Sequence, residues 1–230
     1  MMIIALFLIL IGAIYFPQWW VKHTIQQHAH IRQDIPGTGA EFAQHLLNQL
    51  DLDDINVEES DGELSDHYSS EEKVVRLSPN HFHQHSLSAI VIAAHEVGHA
   101  IQDAENHTWM IRRHTLAKLS QVIETIAPIA LTISPLLFAL TKSPILSMAT
   151  VAIGALSIGI STLFHFATLP VEFDASFNKA LPILEQGHYL NTEDMQSARK
   201  ILKAAALTYV AQSLMNILNV GYWLKRIKRF

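Results

Sequence analysis

Long apolar runs alternate with polar segments along this chain, and the alternation limits the folds open to it. Residues 145–169 contain no Asp, Glu, Lys or Arg, and a shorter uncharged run extends from Met2 to Phe16. Half of the 230 residues are hydrophobic and 16% are charged, against about 25% charged in an average soluble domain. A membrane-crossing helix needs about 20 mostly apolar residues. The pattern therefore predicts a protein with transmembrane helices.

Four segments follow from this pattern. Residues 1–21 are predicted to form an amino-terminal transmembrane anchor, because no basic region or A-x-A-like site marks a cleaved signal peptide. Residues 22–121 are polar, and residues 122–169 are predicted to form a transmembrane hairpin that turns at 141–144. Residues 170–230 begin polar and include an apolar stretch at 204–224, whose membrane crossing stays open.

Basic residues predict the orientation. Seven Lys and Arg lie between the first two apolar runs, whereas the hairpin turn carries only Lys142. Lys and Arg near membrane ends accumulate on the cytoplasmic side. The sequence therefore predicts a multi-pass protein of the cell membrane whose polar segments face the cytoplasm.

Within the polar segments the predicted fold class is α+β and mostly helical. Thr38 and Glu41 have capping-box spacing ahead of an amphipathic helix, and short β-like stretches lie at 55–58 and 73–77. The second stretch could bind an extended peptide by edge pairing. Residues 87–102 are predicted to form a buried helix, since only a few polar residues interrupt an apolar run.

That helix carries the motif His95-Glu96-Val97-Gly98-His99, which matches H-E-x-x-H. On a helix, residues four apart lie on one face, so both imidazoles can reach one metal ion while the intervening glutamate faces its water. Zinc with three protein ligands keeps a position for water and lowers its pKa to about 7. The motif therefore predicts His95 and His99 as zinc ligands and Glu96 as the general base.

A third ligand has to come from elsewhere in the chain. Cysteine is absent, so the candidates are His, Asp and Glu. Glu172 is favoured, because two helical crossings would return the chain to the side of His99; Asp174 is the alternative, and Glu172 could instead be a charge at a helix amino terminus. His81, His83 and His85 alternate in a way that fits either a second metal site or a solvated loop.

Composition excludes one class of ligand. The formal net charge is −5, and no basic stripe with interleaved aromatic residues occurs, so nothing indicates a nucleic-acid partner.

The chain resembles the YugP-type family of neutral zinc metallopeptidases of bacterial membranes. The resemblance extends over nearly the whole sequence and is carried by the residues around Thr38–Glu41, 62–68, 75–78, 93–102, 169–173 and 204–210. It implies an integral membrane zinc peptidase with a zincin-like catalytic domain and with the two histidines and a downstream glutamate as ligands, which strengthens the choice of Glu172.

A more distant similarity links the chain to HtpX-type membrane proteases. Their third-ligand motif has the form E-x-x-x-D, and its Asp supports a ligand histidine. Here Ser176 stands in that position, so the sequence leaves open which residue supports the histidines.

These features predict a zinc-dependent endopeptidase whose catalytic domain consists of 22–121 and 170–230 and whose substrates are membrane or membrane-proximal proteins. The alternative is a non-enzymatic membrane scaffold or metal-binding protein that retains the fold. The sequence identifies neither the physiological substrate, the oxyanion-stabilising residues nor the oligomeric state.

Overall fold

A computed structural model describes residues 2–62, 65–106 and 108–218 of the chain. Its elements, in order, are α1 (Met2–Gln27), α2 (Gly39–Gln49), β1 (Asn56–Glu59), β2 (His67–Ser69), β3 (Val74–Leu77), α3 (Pro79–His83), α4 (Leu87–Ala104), α5 (Thr108–Thr141), α6 (Pro144–Ala167), α7 (Leu169–Phe173), a π-helical segment (Asp174–Ala180), α8 (Leu181–Gln186) and α9 (Thr192–Leu218). The predicted class, α+β and mostly helical, is confirmed.

The chain divides into two compact units. One contains residues 16–110 and 170–208, and so includes the sheet, α2, α3, α4 and the π-helical segment. The other contains the described residues among 1–15, 111–169 and 209–230, with α6 and most of α5. The segment boundaries expected from the sequence, after residues 21, 121 and 169, remain a prediction.

Helix α4 forms the centre of the first unit. It begins where the Ser86 hydroxyl accepts a hydrogen bond from the backbone N–H of Ala89, which satisfies one of the unpaired donors of the first turn. Fifteen of its eighteen residues are buried, so α4 is surrounded by protein over most of its length. The helix expected at 87–102 is confirmed.

Helix α2 packs against α4 and begins with the capping box expected from the sequence. The Thr38 hydroxyl accepts from the Glu41 backbone N–H, and the Glu41 carboxylate accepts from the Thr38 N–H. Its apolar face buries Leu46 and Leu47 almost completely. A side chain at Gly39 would place Cβ 2.2 Å from the carbonyl oxygen of His81, so glycine permits the close approach of α2 and α3.

The sheet has the order β1-β3-β2, with β1 parallel and β2 antiparallel to β3. Strand β3 is therefore central, and both of its edges are already paired. The expectation that an extended peptide adds to the stretch 73–77 is wrong for this reason. The sequence patterns also missed β2, which has only three residues.

Asp103 near the end of α4 holds the sheet to this helix. Its carboxylate accepts from the Tyr68 hydroxyl at 2.8 Å and pairs with the Lys73 ammonium at 2.9 Å. Burial and the neighbouring Asp103 raise the pKa of Tyr68 above its ordinary value, so the phenol stays protonated and keeps donating. These contacts attach the sheet to α4 one helical turn after His99.

The transmembrane segments predicted at 1–21 and 122–169 are wrong. Across residues 2–62, 65–106 and 108–218, no helix combines the length and the apolar character that a membrane crossing requires. A span needs about 20 mostly apolar residues. Two of the apolar runs behind the prediction are shorter than this: Met2–Phe16 is followed by Pro17 and Gln18, and the run 126–140 contains two prolines. The cytoplasmic orientation depends on these crossings and loses its basis with them.

A helical hairpin does occur where the sequence breaks at 141–144. Helix α5 ends at Thr141 and α6 begins at Pro144, and the hydroxyl of Ser134 on α5 donates to the carbonyl oxygen of Ser147 on α6 at 2.9 Å. Large apolar side chains of both helices are exposed, Leu140 and Ile145 among them. Helix α5 starts at Thr108, much earlier than expected. Of the stretch 204–224, α9 includes the residues up to Leu218, and the rest lies outside the described residues.

Candidate metal centre

The motif on α4 presents its three polar side chains in a buried environment. His95, Glu96 and His99 are 3%, 5% and 2% exposed. The two imidazoles lie one helical turn apart with ring centroids separated by 4.8 Å. Burying ionisable groups is costly unless they are hydrogen-bonded or bound to a metal, so the surroundings of these three residues decide what they can do.

Glu172 reaches the same point from another part of the chain. It lies on α7, is fully buried, and places one carboxylate oxygen (Oε2) 3.2 Å from Nε2 of His99 and 3.5 Å from Nε2 of His95. Ligand atoms of these three residues all lie within 4.8 Å of one another. Within the described residues this is the only such group of three or more His, Asp or Glu side chains, and Asp174 is not part of it.

The spacing of these donor atoms fits a zinc ion. Zinc binds histidine nitrogen and carboxylate oxygen at about 2.0–2.2 Å in tetrahedral geometry, so neighbouring ligand atoms should lie about 3.3–3.6 Å apart. The two distances from Glu172, 3.2 and 3.5 Å, are close to this range. Two imidazoles and one carboxylate also form the ligand set of catalytic zinc sites that keep one position open.

The hydrogen bonds of Gln102 fix the tautomer of His99. The side-chain NH₂ of Gln102 donates to the Val171 carbonyl oxygen at 2.9 Å and to the Asp174 carboxylate at 2.7 Å. Both partners can only accept, so the amide oxygen of Gln102 faces Nδ1 of His99, 2.9 Å away, and accepts a hydrogen bond from Nδ1–H. In the neutral ring Nε2 then carries no proton, and its lone pair is available to a metal ion.

Ser176 does the same for His95. Its hydroxyl lies 3.1 Å from the carbonyl oxygen of Leu202 and 3.0 Å from Nδ1 of His95. Because the carbonyl can only accept, the hydroxyl donates to it and accepts from Nδ1–H of His95. The departure from E-x-x-x-D at Ser176 therefore leaves His95 supported, with a neutral hydroxyl where the HtpX-type motif has a carboxylate.

Gly98 allows the two parts of the site to approach. A Cβ at this position would lie 2.6 Å from the carbonyl oxygen of Ala175 and 3.3 Å from its carbonyl carbon, so only glycine fits without movement. Ala175 belongs to the π-helical segment Asp174–Ala180. This conformation is rare in proteins as a whole, but where it occurs it is often at a functional site. The close contact brings Glu172 and Ser176 within reach of the histidines.

Replacing Gly98 by alanine should disrupt this contact. We expect the free energy of unfolding to fall by about 1–3 kcal/mol, as for other overpacked sites, and the zinc affinity to fall because the helices separate. Chemical denaturation and a competition assay with a chelating dye measure the two effects. Gly159→Ala on α6 is the matched control, because no neighbouring element among the described residues lies within 4 Å of the position that its Cβ would take. Wild-type stability and zinc affinity in Gly98→Ala would contradict the steric argument.

The other histidines singled out from the sequence lie apart from this centre. Nδ1 of His81 donates to the Asp66 carboxylate at 2.9 Å, His83 pairs with Glu59, and His85 contacts the Ile35 carbonyl oxygen. Among the described residues, none of these three histidines belongs to a group of three or more side chains that could hold a metal ion.

Asp66 has a structural role beside His81. Burial raises the pKa of this carboxyl, but hydrogen bonds from His81 and Ser78 and the charge of His81 outweigh that effect, so the pKa lies below its usual value. The carboxylate accepts from the Ser78 backbone N–H at 2.8 Å and from its hydroxyl at 3.0 Å. Since Ser78 directly precedes α3, Asp66 holds in place the residue from which this short helix begins.

Comparison with known proteins identifies the group to which the chain belongs. The family model described as "Putative neutral zinc metallopeptidase" matches residues 1–228. The chain is 35% identical over 217 residues to the Bacillus subtilis (strain 168) protein named "Putative membrane protease YugP", covering 94% of this chain and 92% of that protein. No solved structure matches significantly. A match over nearly the whole length, together with a His-His-Glu cluster that could hold a metal ion, shows that the chain belongs to this family.

Proposed function

We propose that this protein is a zinc-dependent endopeptidase that hydrolyses peptide bonds in membrane or membrane-proximal proteins. The observation that carries the proposal is the convergence of His95 Nε2, His99 Nε2 and a Glu172 oxygen, with both histidine tautomers set by hydrogen bonds. The family supports the reaction class. The name of the Bacillus subtilis relative contains the words "membrane protease", which supports action at a membrane.

In this proposal His95, His99 and Glu172 hold zinc. The ion, when bound, supplies an activated water and polarises the carbonyl that is attacked. Because Nδ1–H of each histidine donates to its own partner, Nε2 is the nitrogen of each neutral ring that can bind the metal. The full burial of Glu172 keeps water from competing for its carboxylate.

Glu96 acts as the general base. It follows His95 directly on α4, is 5% exposed and belongs to the H-E-x-x-H motif, in which this carboxylate takes a proton from the attacking water. After the attack the same carboxyl gives the proton to the leaving amine, so Glu96 transfers a proton from the attacking water to the leaving group.

Removal and return of the metal test this proposal. The purified full chain should bind about one zinc per molecule and cleave an unfolded membrane protein offered in detergent. A strong chelator should abolish cleavage, and zinc should restore it. Magnesium should not restore it, because that ion prefers octahedral oxygen ligands. Stoichiometric zinc binding without cleavage of any unfolded membrane protein would count against an endopeptidase.

A further inference from the structure

A single buried side chain, that of Gln102, connects the histidine helix to the segment that carries Glu172. Gln102 is on α4, three residues after His99, and is completely buried. Its amide contacts one proposed ligand directly and the residues on both sides of another. Val171 precedes Glu172, and Asp174 follows it by two positions.

We propose that Gln102 is a positioning residue that sets the tautomer of His99 and holds Glu172 in register with the two histidines. The inference rests on the proposed zinc site and adds a residue outside the ligand set. Gln102 touches neither substrate nor metal in this role, and it acts through His99 and through the backbone around Glu172.

The contacts along α4 support this role. Residues 95, 98, 99 and 102 are spaced so that they lie on one face of the helix. They contact, in turn, Ser176, Ala175, Glu172 and the pair Val171 and Asp174. The two stretches therefore run in opposite directions, and Gln102 makes the last contact of the series.

Donor and acceptor chemistry explains why glutamine suits this position. The site needs an acceptor for Nδ1–H of His99 and two donors for a carbonyl and a carboxylate, and a side-chain amide supplies all three from one group. A carboxylate would face Asp174 with like charge. An apolar side chain of the same size would leave buried polar groups without hydrogen bonds, which is costly.

Outer partners of zinc ligands have a measurable effect on binding. Their loss typically lowers metal affinity by about 10–100-fold. We therefore expect Gln102→Met, which keeps the volume and removes all three hydrogen bonds, to raise the zinc dissociation constant by about 10–100-fold. Competition with a chelating dye on the purified full chain measures the change.

A second pair of variants separates positioning from packing. Gln102→Glu keeps an acceptor for His99 but sets two carboxylates against each other, so zinc affinity should fall. Adding Asp174→Asn supplies an amide donor in place of the second carboxylate, and the double variant should regain much of the loss. Packing alone predicts no such recovery.

Nitrogen NMR of the histidine side chains provides a readout that does not need metal. At a pH at which the ring is neutral, His99 of the metal-free wild type should carry its proton on Nδ1, and Gln102→Met should lose this preference. Ser88→Ala is the matched control. Ser88 is also a buried polar residue of α4, but it lies about two turns before His95, and its hydroxyl contacts the hydroxyl of Ser86. The control should leave the tautomer and the zinc affinity unchanged.

Several results would overturn the role of Gln102. These are zinc affinity within about twofold of wild type in Gln102→Met, no recovery in the double variant, or a neutral wild-type His99 whose single proton lies on Nε2. The last measurement needs no variant, so it remains decisive if Gln102→Met does not fold. Failure of the wild type to bind zinc would instead refute the proposed function, and the tautomer would still test Gln102.

Discussion

Glu96→Gln should lose hydrolysis while it retains zinc. Glutamine has nearly the same shape as glutamate, and Glu96 is not among the three residues that converge on the metal position. The variant therefore keeps the ligands and loses the group that accepts the proton. General acid–base catalysis contributes about 10²–10⁴-fold, so kcat/KM for cleavage of a fluorescent unfolded substrate should fall by about that factor.

Glu185→Gln is the matched control for this variant. Glu185 pairs with Arg199 at the surface, so its loss should leave both cleavage and zinc binding unchanged. Cleavage near the wild-type rate in Glu96→Gln would show that another group takes the proton. A wild type that binds zinc but has no activity for Glu96→Gln to remove would favour the non-enzymatic scaffold.

The centre could be predicted from the sequence because its parts are local or chemically restricted. His95, Glu96 and His99 lie within five residues of one helix, and helical geometry alone places the histidines on one face. Glu172 is 73 residues beyond His99, and its prediction depends on a hairpin that returns the chain. The structure has the hairpin and the meeting of Glu172 with the histidines, although the membrane crossings that were part of the reasoning are wrong.

The supporting residues are harder to predict, because hydrogen-bond partners distant in sequence leave no spacing signal. Ser176 departs from the E-x-x-x-D motif, yet its hydroxyl accepts a hydrogen bond from His95 and donates one to the Leu202 carbonyl oxygen. Gln102 gives a weak signal as a polar residue in an apolar helix. Its three partners become identifiable only with the fold.

The sheet shows a different limit of sequence patterns. A three-residue strand such as β2 carries too little alternation to be recognised. Without β2, the stretch 73–77 has the pattern of an open edge. In the structure β3 has neighbours on both sides. The strand at 73–77 is predicted correctly, and the expectation of a free edge is wrong because β2 is not recognised.

Glu172→Gln should weaken zinc binding far more than the loss of any supporting hydrogen bond. The substitution keeps the volume of a fully buried side chain and replaces a charged ligand oxygen by a neutral amide. We expect the zinc dissociation constant to rise by more than the roughly 10–100-fold that the loss of an outer partner costs. Equilibrium competition with a chelator measures it, and cleavage should disappear at zinc concentrations that saturate the wild type.

Asp174→Asn distinguishes Glu172 from the other carboxylate considered for the third ligand. Asp174 accepts from Gln102 at 2.7 Å and from Asn178 at 2.8 Å, and it is not in the group of converging ligand atoms. Its replacement should therefore cost no more than the loss of an outer partner, about 10–100-fold. If Asp174→Asn weakened zinc binding more than Glu172→Gln, the third ligand would be Asp174, and the short distances from Glu172 to both histidines would need another explanation.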